Sequence, residues 1–293
     1  MQRSIVKDIK AYWEVTKPKI WYLLVFTALM STLIASYIHD ISVSWLTYLL
    51  VFASVTAGAA SANTLTSYID RDIDAIMDRT KHRPIPTGRI SAKNALYYGL
   101  ILSAVSLVLA YFINIYALAL MAFGLFDNII VYSKWLKRRT SWNIILGGFS
   151  GGAPALIGYV AVTTAGIELG FILAGLVFLW TPTHIWSLAI RVKDDYAKAK
   201  VPMLPVVMSE QASIRIIAIA TLIMVIFSIL PVIWGYFGLV YLITAIVSGI
   251  IITIMSINLV IKPSESKSWQ LFKFSSPYLT VIFIAMAVDA AMM

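Results

Sequence analysis

Two aspartates one helical turn apart are the residues best suited to do chemistry. Asp70 and Asp74 follow a long apolar run directly. In an α-helix this spacing places both carboxylates on one face, about 40° apart around the axis. Such carboxylates repel each other unless a cation lies between them, and their oxygens suit Mg²⁺, which also binds substrate phosphates. We therefore predict that this pair is catalytic and binds a magnesium ion.

Other polar residues follow the same helical period. Asp78, Thr66 and Asn63 fall on the stripe of the pair, whereas Asp72 points to the opposite side. Asp78 is therefore a predicted third metal ligand, and Thr66 or Asn63 a predicted source of a further oxygen. For Asp72 and Asp78, exposed ion pairs in a solvated loop are an equally good interpretation.

A basic run follows the aspartates. Arg79, Lys81 and Arg83 are predicted to bind phosphate oxygens, because guanidinium and ammonium groups form charge-assisted hydrogen bonds with them. His82, in the same run, is interpreted as a loop histidine. Aspartates, cations and an adjoining apolar segment together predict a site for a diphosphate carried on a lipid.

Residues 70–90, DRDIDAIMDRTKHRPIPTGRI, resemble the first aspartate motif of the UbiA superfamily of intramembrane prenyltransferases. That motif reads N-x-x-x-D-x-x-x-D, followed by R-T-x-x-R-P. Asp70 and Asp74 match its aspartates, and Thr66 stands where the family has asparagine. Either Thr66 or Asn63, one turn earlier, would have to replace that amide.

A second polar segment comes four predicted helices later, in residues 180–207, WTPTHIWSLAIRVKDDYAKAKVPMLPVV. Pro182 interrupts a helix there, and His184 is an ionisable group at membrane depth, which by default suggests a functional site. A buried, hydrogen-bonded histidine is the alternative. Asp194 and Asp195 are adjacent, so they cannot share a helix face. One would bind a cation or a basic partner while the other faces water, and all three acidic or histidine residues are candidate catalytic groups.

The second segment resembles the protohaem IX farnesyltransferase branch of that superfamily, through W-T-P-x-H-x-W-x-L-A, D-D-Y and V-P-M-L-P. Residues 131–162 resemble its middle stretch. The resemblance implies farnesyl diphosphate as donor, haem B as acceptor, haem O as product and Mg²⁺ as cofactor. His184 would then orient the haem, bind its iron or assist the addition of water. A downstream enzyme that modifies haem O is an implied partner.

Four further basic residues have two interpretations each. Lys137, Arg138, Arg191 and Lys193 would bind the diphosphate or the carboxylates of the acceptor, or they would only fix the membrane topology. Asp127, inside an apolar segment, has no predicted role.

Composition predicts the elements that carry these residues. The 293-residue chain is 60% hydrophobic and 13% charged, has a mean hydropathy of +0.85 and contains no cysteine. We predict an all-α membrane protein that forms a single domain over residues 1–293. Residues 1–18 lack a signal peptide's apolar core and are predicted to form an interfacial segment, with Ile5, Ile9, Tyr12 and Trp13 on its apolar face. The nine predicted membrane helices are 20–38, 45–68, 94–113, 115–133, 143–163, 167–190, 213–234, 237–260 and 271–291.

All 23 lysines and arginines fall before the first predicted helix, in alternate loops or, as Arg215 and Lys273 do, in the first turn after such a loop. The positive-inside rule then places the N-terminus and the polar clusters on the cytoplasmic side of the cell membrane, and the C-terminus outside. The net charge of +9 becomes a one-sided basic face rather than a nucleic-acid surface.

Three other functions remain open from sequence. The same chemistry could act on a quinone precursor, a chlorophyll-type ring or a lipid, although those branches usually have acidic residues where His184 stands. A transporter would place charges along a path near the midplane, whereas here they gather on one side. A purely structural subunit would not need paired carboxylates.

Overall fold

The computed structural model describes residues 2–293, with side chains from Ile9 onward, and this part of the chain is helical without β-strands. Nine helical segments in it are long and apolar enough to cross a membrane. They are called spans 1 to 9: Pro18–Ile38, Trp45–Ile69, Ala92–Ile113, Ile115–Leu136, Asn143–Val160, Ile167–Arg191, Glu210–Ile233, Leu239–Ile261 and Glu265–Ala291. Shorter helices are Gln2–Val15, Arg71–Ile76, Lys193–Lys198 and Leu204–Val207.

The predicted all-helical membrane fold with nine spans is confirmed, and the main differences lie at the N-terminal ends. Span 9 begins at Glu265 rather than residue 271, and span 7 begins at Glu210 rather than 213. Each begins after a serine, Ser264 or Ser209, whose hydroxyl accepts a hydrogen bond from the backbone three residues on, at 3.2 Å. Hydropathy detects only the apolar part of a helix, whereas the serine cap sets where it starts.

The spans form two groups around a shared centre. Spans 1, 5, 6 and 9 pack in a closed central square, in which each contacts the next. Spans 2, 3 and 4 complete a group on one side by joining span 1 to span 5, and spans 7 and 8 join span 6 to span 9 on the other side. The loops that follow spans 2 and 4 therefore end near the segment that precedes span 1.

Span 4 ends as a π-helix, Asp127–Leu136. Its wide turn continues to Lys137, whose backbone N–H donates to the Tyr132 carbonyl at 2.8 Å. Asp127 begins this π-helix, and its carboxylate accepts a hydrogen bond from the Ser150 N–H at 2.8 Å. The role of Asp127 is thus to satisfy the first turn of the helix Phe149–Val160. π-helical turns are rare and frequently occur beside functional sites.

The N-terminal helix packs on the loop that carries the basic run. Ala11 and Val15 are buried against Ile85 and Ile90, and the Glu14 carboxylate pairs with Arg89 at 2.5 Å. Ile9 and Trp13 of the predicted apolar face are exposed, Tyr12 stacks edge-on against Tyr98, and the side chain of Ile5 lies outside the described residues. This helix therefore forms one wall of the region around the aspartates.

Gly158 is the tightest contact between spans 5 and 1. A Cβ at this position would lie 2.0 Å from the Ala28 carbonyl oxygen, and Thr32 Oγ1 already donates to the Gly158 carbonyl at 3.0 Å. Gly158→Ala should therefore destabilise the protein by about 3 kcal/mol, since overpacked cores cost roughly that much. Thermal unfolding in detergent measures this, with Gly151→Ala as the control, because its Cβ would meet Thr181 Oγ1 at an ordinary 3.4 Å. Equal unfolding temperatures for the two variants would contradict the prediction.

Candidate active site

Asp70 and Asp74 lie together at the end of span 2, and each is only 3% exposed. Span 2 ends at Ile69, and the short helix Arg71–Ile76 follows after Asp70. The backbone N–H of Asp74 still donates to the Asp70 carbonyl at 2.8 Å, so the one-turn relation between the two residues is kept. The predicted neighbourhood of the two carboxylates is therefore present.

Each of these aspartates is paired with a cation. Lys137 Nζ contacts Asp70 Oδ2, and Arg83 Nη1 lies 2.9 and 2.8 Å from the two carboxylate oxygens of Asp74. Burial opposes the charge of Lys137, but Asp70 outweighs it and raises the pKa of Lys137, which therefore stays protonated. The first motif and the loop after span 4 thus meet in one buried charge cluster.

The oxygen set of this cluster fits a divalent cation. Asp70 Oδ1 is buried and has no hydrogen-bond partner among the described residues, although buried polar atoms are nearly always satisfied. Asp70 and Asp74 are hard oxygen donors of the kind that hold Mg²⁺ beside phosphates. No group of three acidic or histidine residues that could hold a metal occurs among the described residues.

Lys17 belongs to this cluster, although in the sequence it is only one of several basic residues before the first predicted helix. It lines a small cavity together with Asp74 and Arg83, at the junction between the N-terminal helix and span 1. Burial, and then the positive charge of Arg83, lower the pKa of Lys17 from 10.5 to about 7. A lysine before an apolar helix is the ordinary topology signal, so no sequence pattern distinguished this one.

Asp78 lies apart from Asp70 and Asp74. The short helix ends at Ile76 and Met77 is extended, so the predicted stripe breaks before it reaches Asp78. The Asp78 carboxylate is 55% exposed and pairs with Lys81 and Lys198, each at 2.7 Å. Hydrogen bonds from Lys198 and then Lys81 lower the pKa of Asp78 to about 2. Lys81 likewise faces this outer pair rather than the cluster.

A second outer pair involves Arg138. Its guanidinium binds both Asp72 oxygens, at 2.7 and 2.6 Å, and the Ile69 carbonyl at 2.9 Å. The hydrogen bond from Arg138 lowers the pKa of Asp72. Asp72 points away from the pair as predicted, and Arg138 closes the outside of the turn instead of facing the cluster.

Asp195 connects the two predicted motifs. Its buried carboxylate accepts hydrogen bonds from the backbone N–H groups of Asp78, at 3.0 Å, and Arg79, at 2.9 Å. Asp194 is exposed and makes no hydrogen bond or ion pair with described residues. One aspartate is thus bound and the other faces water, as expected, but the partner is the backbone of the basic loop. Arg79 is exposed, and its guanidinium has no ion-pair partner among the described residues.

An apolar cavity lies inside the group formed by spans 1, 2, 4 and 5. Its volume is about 120 Å³, and its lining includes Asn63, seven residues before Asp70. The Asn63 amide donates to the Ala59 carbonyl at 2.9 Å, and the Thr66 hydroxyl donates to the Asn63 carbonyl at 3.1 Å. Asn63 is therefore one of three polar residues that line the cavity, with Asn128 and Ser150, while Thr66 is buried against its own helix. At 1.5 Å per residue, Asn63 lies about 10 Å along the helix from the aspartates.

His184 is clamped between spans 6 and 9. Its ring stacks on Trp180 and on Phe272, with centroids 4.3 Å away on each side. Its Nδ1 lies 2.7 Å from Ser275 Oγ, and the Ser275 hydroxyl donates its one proton to the Phe272 carbonyl at 2.7 Å. Nδ1–H is therefore the donor to Ser275, which leaves Nε2 with a free lone pair.

Arg191 and Lys193 are not in the charge cluster. The Arg191 guanidinium lies over the Trp269 ring, 4.7 Å from its centroid, and Trp269 stacks on Phe272 at 4.9 Å. The rings of Trp269, Phe272, His184 and Trp180 thus form one continuous stack, and the Arg191 guanidinium lies at its Trp269 end. Lys193 makes no ion pair with described residues.

The fold and the site define an integral membrane protein with an acidic pair and cations at one end of its helical bundle and an apolar cavity between spans 1, 2, 4 and 5. The chain belongs to the UbiA prenyltransferase family, whose model matches residues 24–282. Protoheme IX farnesyltransferase 2 of Cenarchaeum symbiosum (strain A) is 49% identical to it, over 100% of this chain and 99% of the relative.

Two solved structures have the same fold. A structure described as that of digeranylgeranylglyceryl phosphate synthase has a TM-score of 0.80 and 26% identity, and the similarity covers 98% of this chain and 99% of that one. A UbiA homologue from Archaeoglobus fulgidus bound to DMAPP and Mg²⁺ has a TM-score of 0.64 and 18% identity, covering 96% and 99%. At that identity, the second likeness concerns the fold alone.

Proposed function

We propose that this protein transfers the farnesyl group of farnesyl diphosphate to a vinyl group of haem B. Water is added in the same reaction, and haem O and diphosphate are the products. The buried pair Asp70 and Asp74, paired with cations and about 10 Å along span 2 from the polar end of an apolar cavity, is the observation that carries the prenyl-transfer part. The relative that is 49% identical over the whole chain is called a protoheme IX farnesyltransferase. Together with His184 of this chain, it supports haem B as acceptor.

The donor is proposed to bind with its diphosphate at the charge cluster and its tail in the apolar cavity. Asp70 and Asp74 would hold Mg²⁺, which supplies positive charge to the departing diphosphate. When Mg²⁺ binds the two carboxylates, Arg83 and Lys137 would leave them and bind phosphate oxygens instead. Arg79 would add a guanidinium that has no ion-pair partner among the described residues. Since the leaving group carries the developing negative charge, no protein nucleophile is required.

The acceptor is proposed to bind through His184. The two stacked rings and Ser275 fix the imidazole, so its Nε2 lone pair has one orientation. A histidine whose other nitrogen is held by a hydrogen bond is a typical axial ligand of haem iron. Arg191, beside Trp269 at the end of the stack, is a candidate partner for a haem carboxylate.

The orientation of the protein follows from its basic loops. We propose that the charge cluster faces the cytoplasm and that the protein lies in the cell membrane, with the N-terminus inside and the C-terminus outside. The product would pass to an enzyme that oxidises or otherwise modifies haem O.

The test is a reaction of purified protein in detergent with Mg²⁺, farnesyl diphosphate and haem B, followed by mass spectrometry. The proposal expects haem B to gain the mass of farnesol, that is, a farnesyl group on one vinyl carbon and an OH group on the other. Prenylation of a quinone precursor or a glycerol phosphate lipid instead, with haem unchanged, would favour the alternative acceptors. No prenyl transfer to any acceptor would reject the enzyme and leave the transporter interpretation.

His184→Ala is expected to change the haem spectrum of the protein without any prenyl donor. Loss of an axial imidazole should shift the Soret band and weaken haem binding about 10-fold, and added imidazole should restore the band. Ser275→Ala should keep the His184 imidazole as a ligand but fix its orientation less well, so haem binding should weaken less than in His184→Ala. His82→Ala is the matched control, because His82 is exposed in the basic loop. An unchanged spectrum in His184→Ala would contradict iron ligation.

A further inference from the structure

The junction between the N-terminal helix and span 1 has an unusual backbone. Lys17 has φ 54° and ψ 61°, and the only other non-glycine residues with positive φ in the described chain are Asp40 and Lys200. The left-handed conformation is unfavourable for a residue with a Cβ, and a following proline, here Pro18, restricts it further. Such strain persists only where surrounding structure fixes it, and it concentrates at functional sites.

This conformation is held from both sides. The Lys17 N–H donates to the Glu14 carbonyl at 3.1 Å, and the Lys17 carbonyl accepts from Ile20 N–H at 2.9 Å. Glu14 is itself paired with Arg89 of the basic loop. The Lys17 side chain therefore enters the cavity beside Asp74 and Arg83 from a fixed backbone.

The charges around Lys17 leave it without a partner. Asp70 and Asp74 are paired with Lys137 and Arg83, and Lys17 makes no ion pair or hydrogen bond through its ammonium group to any described residue. The cluster thus contains three cations and two carboxylates. A half-buried cation without a partner is costly unless an anion completes the site.

We propose that Lys17 is a further anion-binding residue of the active site, whose ammonium group contacts the diphosphate of the prenyl donor. The position favours the diphosphate over an acceptor carboxylate, because Lys17 shares its cavity with Asp74 and Arg83 and not with the His184 stack. This inference rests on the proposed function. It also gives the N-terminal helix a role, since that helix and its bond to Arg89 hold Lys17 in place.

The test measures binding of inorganic pyrophosphate, with Mg²⁺ present, to the full-length protein by calorimetry. Lys17→Met should weaken this binding about 10- to 100-fold, the value of one charge-assisted hydrogen bond. It should raise the KM for the prenyl diphosphate similarly and leave the KM for haem unchanged, and Lys17→Arg should recover most of the affinity. Lys19→Met is the matched control, because Lys19 is exposed only two residues away and should bind pyrophosphate like the wild type.

The outcomes separate the inference from the proposed function. Failure of the wild-type protein to bind pyrophosphate would reject the donor site itself. Wild-type affinity in Lys17→Met would reject only the role of Lys17, and a raised KM for haem alone would assign it to the acceptor. If Lys17→Met does not fold, acylation of the wild-type protein decides: pyrophosphate should protect Lys17 and not Lys19, and equal labelling of both would overturn the inference.

Discussion

Asp74→Asn is expected to lower the rate of prenyl transfer about 1,000-fold, because it removes one of the two charged groups that would hold Mg²⁺. Asparagine keeps the volume of the side chain and still offers one oxygen to Arg83, so the fold should be retained. Its neutral oxygen does not compete with water for a divalent cation as a carboxylate does. The rate at saturating donor and acceptor measures the loss, and Mn²⁺ binding followed by electron paramagnetic resonance measures the metal directly.

Asp72→Asn is the matched control for this experiment. Asp72 lies in the same short helix, but its side chain is 59% exposed and binds Arg138 on the outside of the turn. Exposed ion pairs contribute little to stability, so this variant should keep its rate within about threefold. Equal losses in both variants would mean that the charge of the whole segment matters. Retained Mn²⁺ binding in Asp74→Asn would remove that residue from the metal site.

The acidic pair could be predicted because it depends on a local relation. One helical turn of backbone brings Asp70 and Asp74 together. The backbone hydrogen bond from Asp74 N–H to the Asp70 carbonyl is kept across the break between span 2 and the short helix. The same reasoning was wrong for Asp78, since the helix ends after one and a half turns. An extended Met77 redirects the chain there, with φ −74° and ψ 127°. A periodic pattern predicts neighbours only as far as the helix continues.

The cations of the cluster could not be assigned from sequence because they come from distant segments. Lys137 lies 67 residues from Asp70, and its place depends on a π-helix that has no recognised sequence signal. Lys17 and Lys19 are indistinguishable as basic residues before an apolar helix, yet only Lys17 enters the cavity. The nine spans, in contrast, follow from hydropathy, since the thickness of a bilayer requires long apolar helices.

The second large effect is expected from Asp195, and the adjacent Asp194 serves as its matched control. Asp195→Ala removes the acceptor of two backbone N–H groups, those of Asp78 and Arg79, and leaves both donors without their charged partner. Hydrogen bonds to a charged group contribute about 1.5–3 kcal/mol each, so the basic loop should lose its fixed shape. We expect kcat/KM for the prenyl diphosphate to fall about 100-fold, and Asp194→Ala to stay within about threefold of the wild type because Asp194 is exposed.

Hydrogen exchange separates this positioning role from direct metal binding. If Asp195 orders the loop, Asp195→Ala should increase amide exchange in residues 77–83, and Asp195→Asn, which keeps one strong acceptor, should give an intermediate loss of activity. A metal ligand would instead lose Mn²⁺ affinity while the loop kept its protection. The structure favours the first outcome, because both Asp195 oxygens are already bound to the backbone of the loop that carries Arg79 and Arg83. Asp195 of the second motif would then influence diphosphate binding indirectly, by fixing the conformation of the basic loop in the first motif.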